Sequence, residues 1–151
     1  MSVEKVKVNV ISSSTNPLPE YKHSYDAGCD VMANLPIDDE VIIAPGECVK
    51  VPVGISTAIP IGYFVMLVPR SGLAAKYSIS ICNAPGTIDS GYINEYAALV
   101  INHGNKAFVI KNGDRIAQLI LLKYAQIEWN EVDKLEQVDD RGLGGFGSSG
   151  I

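Results

Sequence analysis

The sequence predicts an all-β domain of the sandwich or barrel type, and three observations support this prediction. Apolar and polar residues alternate in short runs, which is the pattern of half-buried strands. The chain of 151 residues contains 14 glycines and 8 prolines, which supply many turn positions. Helix signals are few, and no fixed-period repeat indicates a solenoid or a propeller. Many short strands separated by turns are typical of a sandwich or barrel.

The predicted strands follow one another along the chain. The first is predicted from Val6, Val8 and Val10, which alternate with polar residues. The later ones are bounded by Gly, Pro or Asn and cover residues 41–43, 49–53, 63–68, 97–101, 108–110 and 116–122. One short helix is expected over residues 71–76, with Ser71 as its cap. Residues 131–138 have only a weak helical pattern and are predicted to be extended.

Composition excludes several classes of protein. With 47% hydrophobic and 19% charged residues the chain has an ordinary globular composition, which excludes wholesale disorder. Its apolar runs are far shorter than the ~18 residues of a membrane span, so no membrane association is expected. The net charge is −5 and the basic residues form no cluster. Because proteins that bind nucleic acid need such clusters, no nucleic-acid partner is expected.

The three cysteines are Cys29, Cys48 and Cys82, and they show no CxxC spacing. An odd number with this spacing argues against a disulfide framework and against a zinc site. It favours a reducing, cytoplasmic compartment.

The C-terminal segment differs in composition from the rest of the chain. We therefore divide the protein into a β domain, residues 1–138, and a Gly/Ser-rich arm, residues 139–151. The glycines of the arm match G-x-G-x-x-G, but a dinucleotide site needs a strand before this motif and a helix after it. Arg141 and Phe146 suggest another role, because arginine binds phosphate and phenylalanine can stack on a base. A disordered terminus is the common alternative for a Gly/Ser-rich tail. A tail that holds these residues nevertheless looks like a flexible flap that orders on a nucleotide.

Two segments of the β domain carry candidate binding groups. In the segment PRSGLAAK, the Arg70 side chain, the Ser71 hydroxyl and the Gly72 amide could bind an anion, although a solvated surface turn explains them equally well. In the segment NAPGTIDSGY, a hairpin-like turn exposes backbone that could recognise a base edge. Asp89 is its single carboxylate, and an aspartate in a turn is a common structural feature.

Two more segments hold polar residues next to predicted strands. Residues 112–119 form a turn that leads into a strand, where the Asp114–Arg115 pair is predicted to be structural and Gln118 to need a partner. Residues 26–31 place Asp26 and Asp30 on either side of a glycine. The chain has only two histidines and no nucleophile elbow, so a nucleophilic triad is not supported.

In this order and spacing the segments resemble the trimeric dUTPase family, deoxyuridine triphosphate nucleotidohydrolases. The resemblance rests on PRSGLAAK, NAPGTIDSGY, GDRIAQL and RGLGGFGSSG and covers nearly the whole chain. It implies a jelly-roll fold, a homotrimer with sites shared between subunits, and Mg²⁺ as cofactor. It also implies hydrolysis of dUTP to dUMP and pyrophosphate, which lowers dUTP and supplies dUMP for thymidylate synthesis.

The resemblance also implies a role for each matching residue. Asp89 would orient and deprotonate the attacking water, Tyr92 would pack beneath the deoxyribose, and Asp30 would act near the metal through water. Phosphates or the attacking water would be held by Arg70, Ser71, Gly72 and Gln118. Uracil would be recognised by Asn83 and by the backbone of Gly86, Thr87, Ile88 and Asp89. The flap would contribute Arg141 at the γ-phosphate, Phe146 over the base, and Gly147, Ser148 and Ser149.

The sequence departs from the family pattern after Asp89, where Gly91, Ile93 and Asn94 replace the usual residues. Ile93 stands at a common arginine position and therefore removes a cation there. Two alternatives stay open. One is a dCTP deaminase-like enzyme, since Glu95 stands about where that group keeps its acidic residue. The other is a non-catalytic, dUTPase-like module that binds a regulatory partner.

Overall fold

The computed structural model of the protein describes residues 3–136. Within this range the chain forms eleven strands and one short helix. The strands are β1 Asn9–Ser12, β2 Gly28–Met32, β3 Glu40–Ile43, β4 Cys48–Pro52, β5 Ile55–Ala58, β6 Tyr63–Val68, β7 Ile79–Ile81, β8 Gly86–Ile88, β9 Ala97–Asn102, β10 Phe108–Lys111 and β11 Arg115–Lys123. The helix α1, Ser71–Tyr77, lies between β6 and β7. This confirms the predicted all-β class with its single short helix.

All the strand pairs are antiparallel, as expected for a jelly-roll-like sandwich. The largest sheet has the order β2–β11–β6–β8, and a second sheet has the order β4–β9–β7. Two further pairs, β1–β5 and β3–β10, complete the set described. Strand pairs such as β2 with β11 join segments that are far apart in sequence, so the fold depends on long-range contacts.

The core is formed by the inward-facing side of each strand. In β9, Ala98, Val100 and Asn102 are fully buried, and the residues between them are partly exposed. This alternation is the two-residue period that predicted the strand. It holds in β6 as well, where Val65 and Leu67 face the core.

The prediction of a first strand at Val6, Val8 and Val10 is wrong for most of that segment. Residues 3–8 form no strand, and β1 begins only at Asn9. The three valines line an apolar groove together with residues such as Leu119 and Leu121. Their alternation therefore reflects burial of one side of the segment, without the ladder of hydrogen bonds that defines a strand.

The helix is present where it was predicted, but its predicted cap is wrong. Ser71 is the first helical residue, while Arg70 occupies the cap position with extended backbone and makes no side-chain cap bond. The Arg70 side chain is engaged elsewhere, as described below. At the other end Ser78 adopts a left-handed conformation with φ of 57°. Within residues 3–136 no helix is long and apolar enough to cross a membrane.

Asn102 is a buried polar residue whose side chain is fully bonded. Its Nδ2 donates to the carbonyl oxygens of Ile43 and Lys106, at 2.9 and 2.8 Å. Its Oδ1 accepts from the Gly104 N–H at 2.8 Å. The Asn102 side chain thus supplies hydrogen-bond partners to the backbone of three residues, one at the end of β3 and two after β9.

Replacing Asn102 by alanine is expected to destabilise the protein strongly. Each buried group left without a partner costs about 1–3 kcal/mol, so the loss should reach about 3 kcal/mol or more. Urea unfolding measures it, with the substitution of exposed Asn105 by alanine as the matched control. An Asn102→Ala protein as stable as that control would contradict this role.

Candidate active site

Three of the predicted site residues meet at one end of the largest sheet. The register places Asp30 on β2 opposite Gln118 on β11, and Gln118 opposite Val68 on β6. Arg70 follows just after β6 and reaches Asp30. Its Nε donates to Asp30 Oδ1 at 3.0 Å, and its Nη2 lies 2.9 Å from Asp30 Oδ2. The antiparallel pairing of three strands therefore assembles residues from three separate segments.

A second arginine belongs to this cluster. Arg70 Nη1 donates to the backbone oxygen of Arg115 at 3.0 Å, and Arg115 Nη1 lies 3.6 Å from Asp30 Oδ2. Arg115 was not predicted as a site residue, because its pairing with Asp114 was predicted to be structural. Asp114 instead accepts a hydrogen bond from the Lys111 N–H. Two guanidinium groups around one carboxylate leave a local excess of positive charge, which suits an anionic ligand.

Gln118 is held in place by the backbone beside Arg70. Its Nε2 donates to the Pro69 oxygen at 2.9 Å, which confirms that this polar residue in an apolar strand has a partner. Gly28 lies against it, since a Cβ there would come within 2.5 Å of Gln118 Oε1. Asp30, Arg115 and Gln118 line a surface cleft of about 760 Å³. Ser71 and Gly72 are exposed at the start of α1, next in the chain to Arg70.

The second group of predicted residues lies on and around β8. Asn83 is exposed in the turn before this strand, and Thr87 is exposed within it. Gly86 is buried, and a Cβ there would approach the Leu67 backbone oxygen to 3.3 Å. The segment therefore runs close along β6, with its polar groups facing outward.

Asp89 follows β8 directly and begins a turn. Its backbone oxygen accepts a hydrogen bond from the Tyr92 N–H at 3.0 Å. The Asp89 side chain is exposed and lines a cleft of about 440 Å³ together with Phe64 and Thr87. Tyr92 is 43% exposed, and its hydroxyl donates to the Glu95 backbone oxygen at 3.2 Å.

These two groups do not meet within one chain. The strand β8 pairs with β6 through Ile88 and Val65, so Asp89 lies beside Phe64. Asp30 lies in register with Val68, which is four residues further along β6. At about 3.3 Å per residue along the strand and about 4.8 Å for each of three strand-to-strand steps, Asp30 and Asp89 are about 20 Å apart. A single chain therefore presents an arginine-rich cluster and a separate carboxylate-bearing loop.

The residues near Asp30 offer few protein ligands for a metal ion. Among residues 3–136 no group of three or more histidines, cysteines or acids is close enough to hold an ion. Asp30 is the one carboxylate of the cluster, and both its oxygens already face arginine nitrogens. Mg²⁺ is commonly held by one or two carboxylates, several waters and substrate phosphates. The donor set fits Mg²⁺ held through water, with the phosphates as its main ligands.

Cys29, next to Asp30, is not an activated nucleophile. Burial raises the pKa of its thiol, and the neighbouring Asp30 carboxylate adds to this effect. The thiol therefore stays protonated at neutral pH, and thiolate chemistry is disfavoured. The predicted flap residues Arg141, Phe146, Gly147, Ser148 and Ser149 lie outside the described residues.

Comparison with known proteins gives one consistent result. The sequence model of the dUTPase family matches residues 14–150. The chain is 44% identical to the deoxyuridine 5'-triphosphate nucleotidohydrolase of Maricaulis maris, with 99% of each protein covered. It is 40% identical to the enzyme of the same name from Rickettsia felis, over the full length of both.

Solved structures show the same similarity. The dUTPase of Staphylococcus bacteriophage 80alpha, solved with dUpNHpp, superimposes with a TM-score of 0.86 at 27% identity. That match covers 97% of this chain and 100% of the phage chain. A G164S mutant of the phage enzyme, also with dUpNHpp, gives a TM-score of 0.85 at 26% identity. The chain therefore belongs to the dUTPase family.

Proposed function

We propose that this protein is a dUTP diphosphatase, which hydrolyses dUTP to dUMP and pyrophosphate. The observation that carries the proposal is the cluster of Asp30, Gln118 and two arginines, Arg70 and Arg115, whose excess positive charge suits a triphosphate. The full-length relatives named as nucleotidohydrolases support the substrate. The reaction lowers dUTP and supplies dUMP for thymidylate synthesis. The free cysteines fit work in a reducing, cytoplasmic compartment.

The proposed chemistry needs one base and several phosphate ligands. Asp89 orients a water molecule and takes its proton, and its exposed carboxylate is accessible to both water and nucleotide. Arg70, Ser71, Gly72 and Gln118 bind the phosphates. As charge develops on the pyrophosphate leaving group, the guanidinium groups stabilise it. Arg141 would add a further cation at the γ-phosphate.

Recognition of the base is assigned to the β8 segment and the flap. Asn83 and the backbone of residues 86–89 would pair with the edge of uracil, and Phe146 would cover its face. Cytosine carries an amino group in place of the 4-oxo group, and a polar mismatch of this kind can cost ~10⁴-fold or more. The methyl group of dTTP would be excluded by close packing, which costs about 1–3 kcal/mol when overfilled.

Mg²⁺ would be held at Asp30 through water and by the substrate phosphates. Bound there, it would neutralise part of the phosphate charge. The protein's own contribution is the placement of Asp30, which Arg70 holds through both carboxylate oxygens. These two contacts hold the carboxylate in one orientation within the cluster.

A complete site would require more than one copy of the chain. Because one chain keeps Asp89 about 20 Å from Asp30, a single nucleotide can contact both only if they come from different subunits. We propose a homotrimer in which one subunit supplies the arginine cluster, another supplies Asp89 and Tyr92, and the flap completes the site. Such sharing is natural in a closed ring, where unlike surfaces meet around the axis.

Replacing Tyr92 by alanine is expected to admit UTP. A ring beneath the sugar leaves neither room nor a partner for a 2′-hydroxyl, and burying that hydroxyl unpaired costs about 1–3 kcal/mol. The ratio of kcat/KM for dUTP and UTP should therefore fall by about 5- to 150-fold. Tyr92→Phe is the control, since it removes only the bond to the Glu95 oxygen. An unchanged ratio in Tyr92→Ala would place discrimination elsewhere.

A panel of nucleotides tests the proposed function itself. Purified protein is incubated with dUTP, dCTP, dTTP and UTP plus Mg²⁺, and pyrophosphate and ammonia are measured. Pyrophosphate from dUTP alone is expected. Ammonia from dCTP would instead support the deaminase alternative, and absence of both products would support the non-catalytic module.

A further inference from the structure

The loop after β8 carries Asp89 and Tyr92, and the Glu95 side chain fastens it to another part of the fold just before the buried Tyr96. Glu95 Oε2 accepts a hydrogen bond from the Ser13 hydroxyl at 3.1 Å. Glu95 Oε1 accepts one from the Gly54 backbone N–H at 3.3 Å. Since Ser13 and Gly54 are both far from Glu95 in sequence, the carboxylate joins three separate segments.

The contact with Gly54 joins the exposed Glu95 side chain to a buried backbone position. Gly54 is buried with φ of +71°, and a Cβ there would come within 2.5 Å of Ser14 Cβ. The backbone thus packs closely at this corner between β4 and β5. A buried N–H needs a partner, and the Glu95 carboxylate supplies it. Loss of Glu95 would therefore disturb the corner as well as the loop.

The same segment fixes Tyr92 and Asp89. The Tyr92 hydroxyl donates to the Glu95 backbone oxygen at 3.2 Å, and the Tyr92 N–H donates to the Asp89 oxygen at 3.0 Å. Next to Glu95, the buried Tyr96 is held to β5 through its N–H and the Ile55 oxygen at 2.8 Å. A shift of Glu95 is therefore passed along the turn to both residues of the proposed site.

We propose that Glu95 is a positioning residue: its carboxylate fixes the loop of residues 89–96 against Ser13 and Gly54 and so sets the positions of Tyr92 and Asp89. This inference rests on the proposed function. Glu95 acts through the loop and transfers no proton. The deaminase alternative would instead make Glu95 an acidic group of the reaction itself.

Two substitutions of Glu95 separate positioning from proton transfer. In Glu95→Gln the amide oxygen can still accept from the Gly54 N–H, and the amide nitrogen can donate to the Ser13 hydroxyl. Both hydrogen bonds, to Ser13 and to Gly54, are kept while the titratable group is lost. The kcat and KM for dUTP should therefore stay close to the wild-type values. Glu95→Ala removes both bonds. A misplacement of about 1 Å can cost ~10²-fold, so kcat/KM should fall by about 10- to 100-fold.

The preference for dUTP over UTP is the second kinetic readout. It should decrease in Glu95→Ala, because Tyr92 loses its fixed position, and should be retained in Glu95→Gln. A Gln variant as inactive as the Ala variant would overturn the positioning role in favour of proton transfer. Wild-type kinetics in Glu95→Ala would overturn it as well.

Amide hydrogen exchange on the nucleotide-free protein tests the contacts of Glu95 with Ser13 and Gly54 without measuring enzymatic activity. Exchange at Gly54 and in residues 89–96 should be faster in Glu95→Ala than in the wild-type and Gln proteins. If Glu95→Ala does not fold, Ser13→Ala, which removes one bond only, is measured in its place. Unchanged exchange in the variant measured would overturn the inference. The wild-type protein could fail to hydrolyse dUTP while exchange is still faster in the variant. That result would refute the proposed function and leave the structural role of Glu95 established.

Discussion

Replacing Asp89 by asparagine is expected to lower kcat for dUTP by ~10²–10⁴-fold, which is the usual contribution of general base catalysis. The amide keeps the shape of the side chain but cannot take a proton from water. Asp89 is exposed at the start of its turn, so the substitution breaks no core contact. Binding of a non-hydrolysable dUTP analogue should therefore remain nearly unchanged. Steady-state kinetics and calorimetric titration measure the two quantities separately.

The matched control for this variant is Asp38→Asn. Asp38 is exposed in a turn with φ of 71°, a conformation that asparagine tolerates. It lines a cleft with Glu40 and Lys111 that shares no residue with the clefts of Asp30 and Asp89. It should keep wild-type kinetics. An Asp89→Asn protein with more than half the wild-type kcat would remove Asp89 from the role of base.

Sequence periodicity predicted the longer strands well. The strand β6 has the predicted bounds, β9 is one residue longer at its C-terminal end, and β11 is one residue longer at each end. The strands β2, β5, β7 and β8 were not predicted as such. They have three to five residues each, too few to show a period, and partners far away in sequence define them. Periodicity also overextended the first strand, because one-sided burial and strand pairing give the same alternation.

The site was only partly accessible from sequence. The segments of Asp30, Arg70 and Gln118 were identified, and the structure brings these three residues together. Arg115 was missed, although its place at the start of the strand that carries Gln118 was a usable signal. The predicted Ser71 cap failed because Arg70 takes the cap position while its side chain bonds Asp30. No local pattern states how far apart two motifs will lie, since that distance depends on strand register.

Asp89 lies far from the arginine cluster within one chain, and this distance leads to a second large expected effect. If each site combines Asp89 of one subunit with the arginine cluster of another, two inactive proteins should restore activity when mixed. The first is Asp89→Asn. The second is the double variant Asp30→Asn with Arg70→Gln, which removes both partners of the closest ion pair. It leaves Arg115 without its carboxylate, but that side chain is half exposed to solvent. Each protein alone should be inactive, because every site in it lacks one of its two parts.

The shared site is tested by measuring dUTP hydrolysis after the two variants are unfolded together in equal amounts and refolded. Random assembly gives an intact Asp89 with a chance of one half and an intact cluster with a chance of one half. About a quarter of the sites should then be complete, so about a quarter of the activity of refolded wild-type protein should return. If each site is built within one chain, no site can hold both parts. An inactive mixture beside an active refolded wild-type control would contradict the shared site.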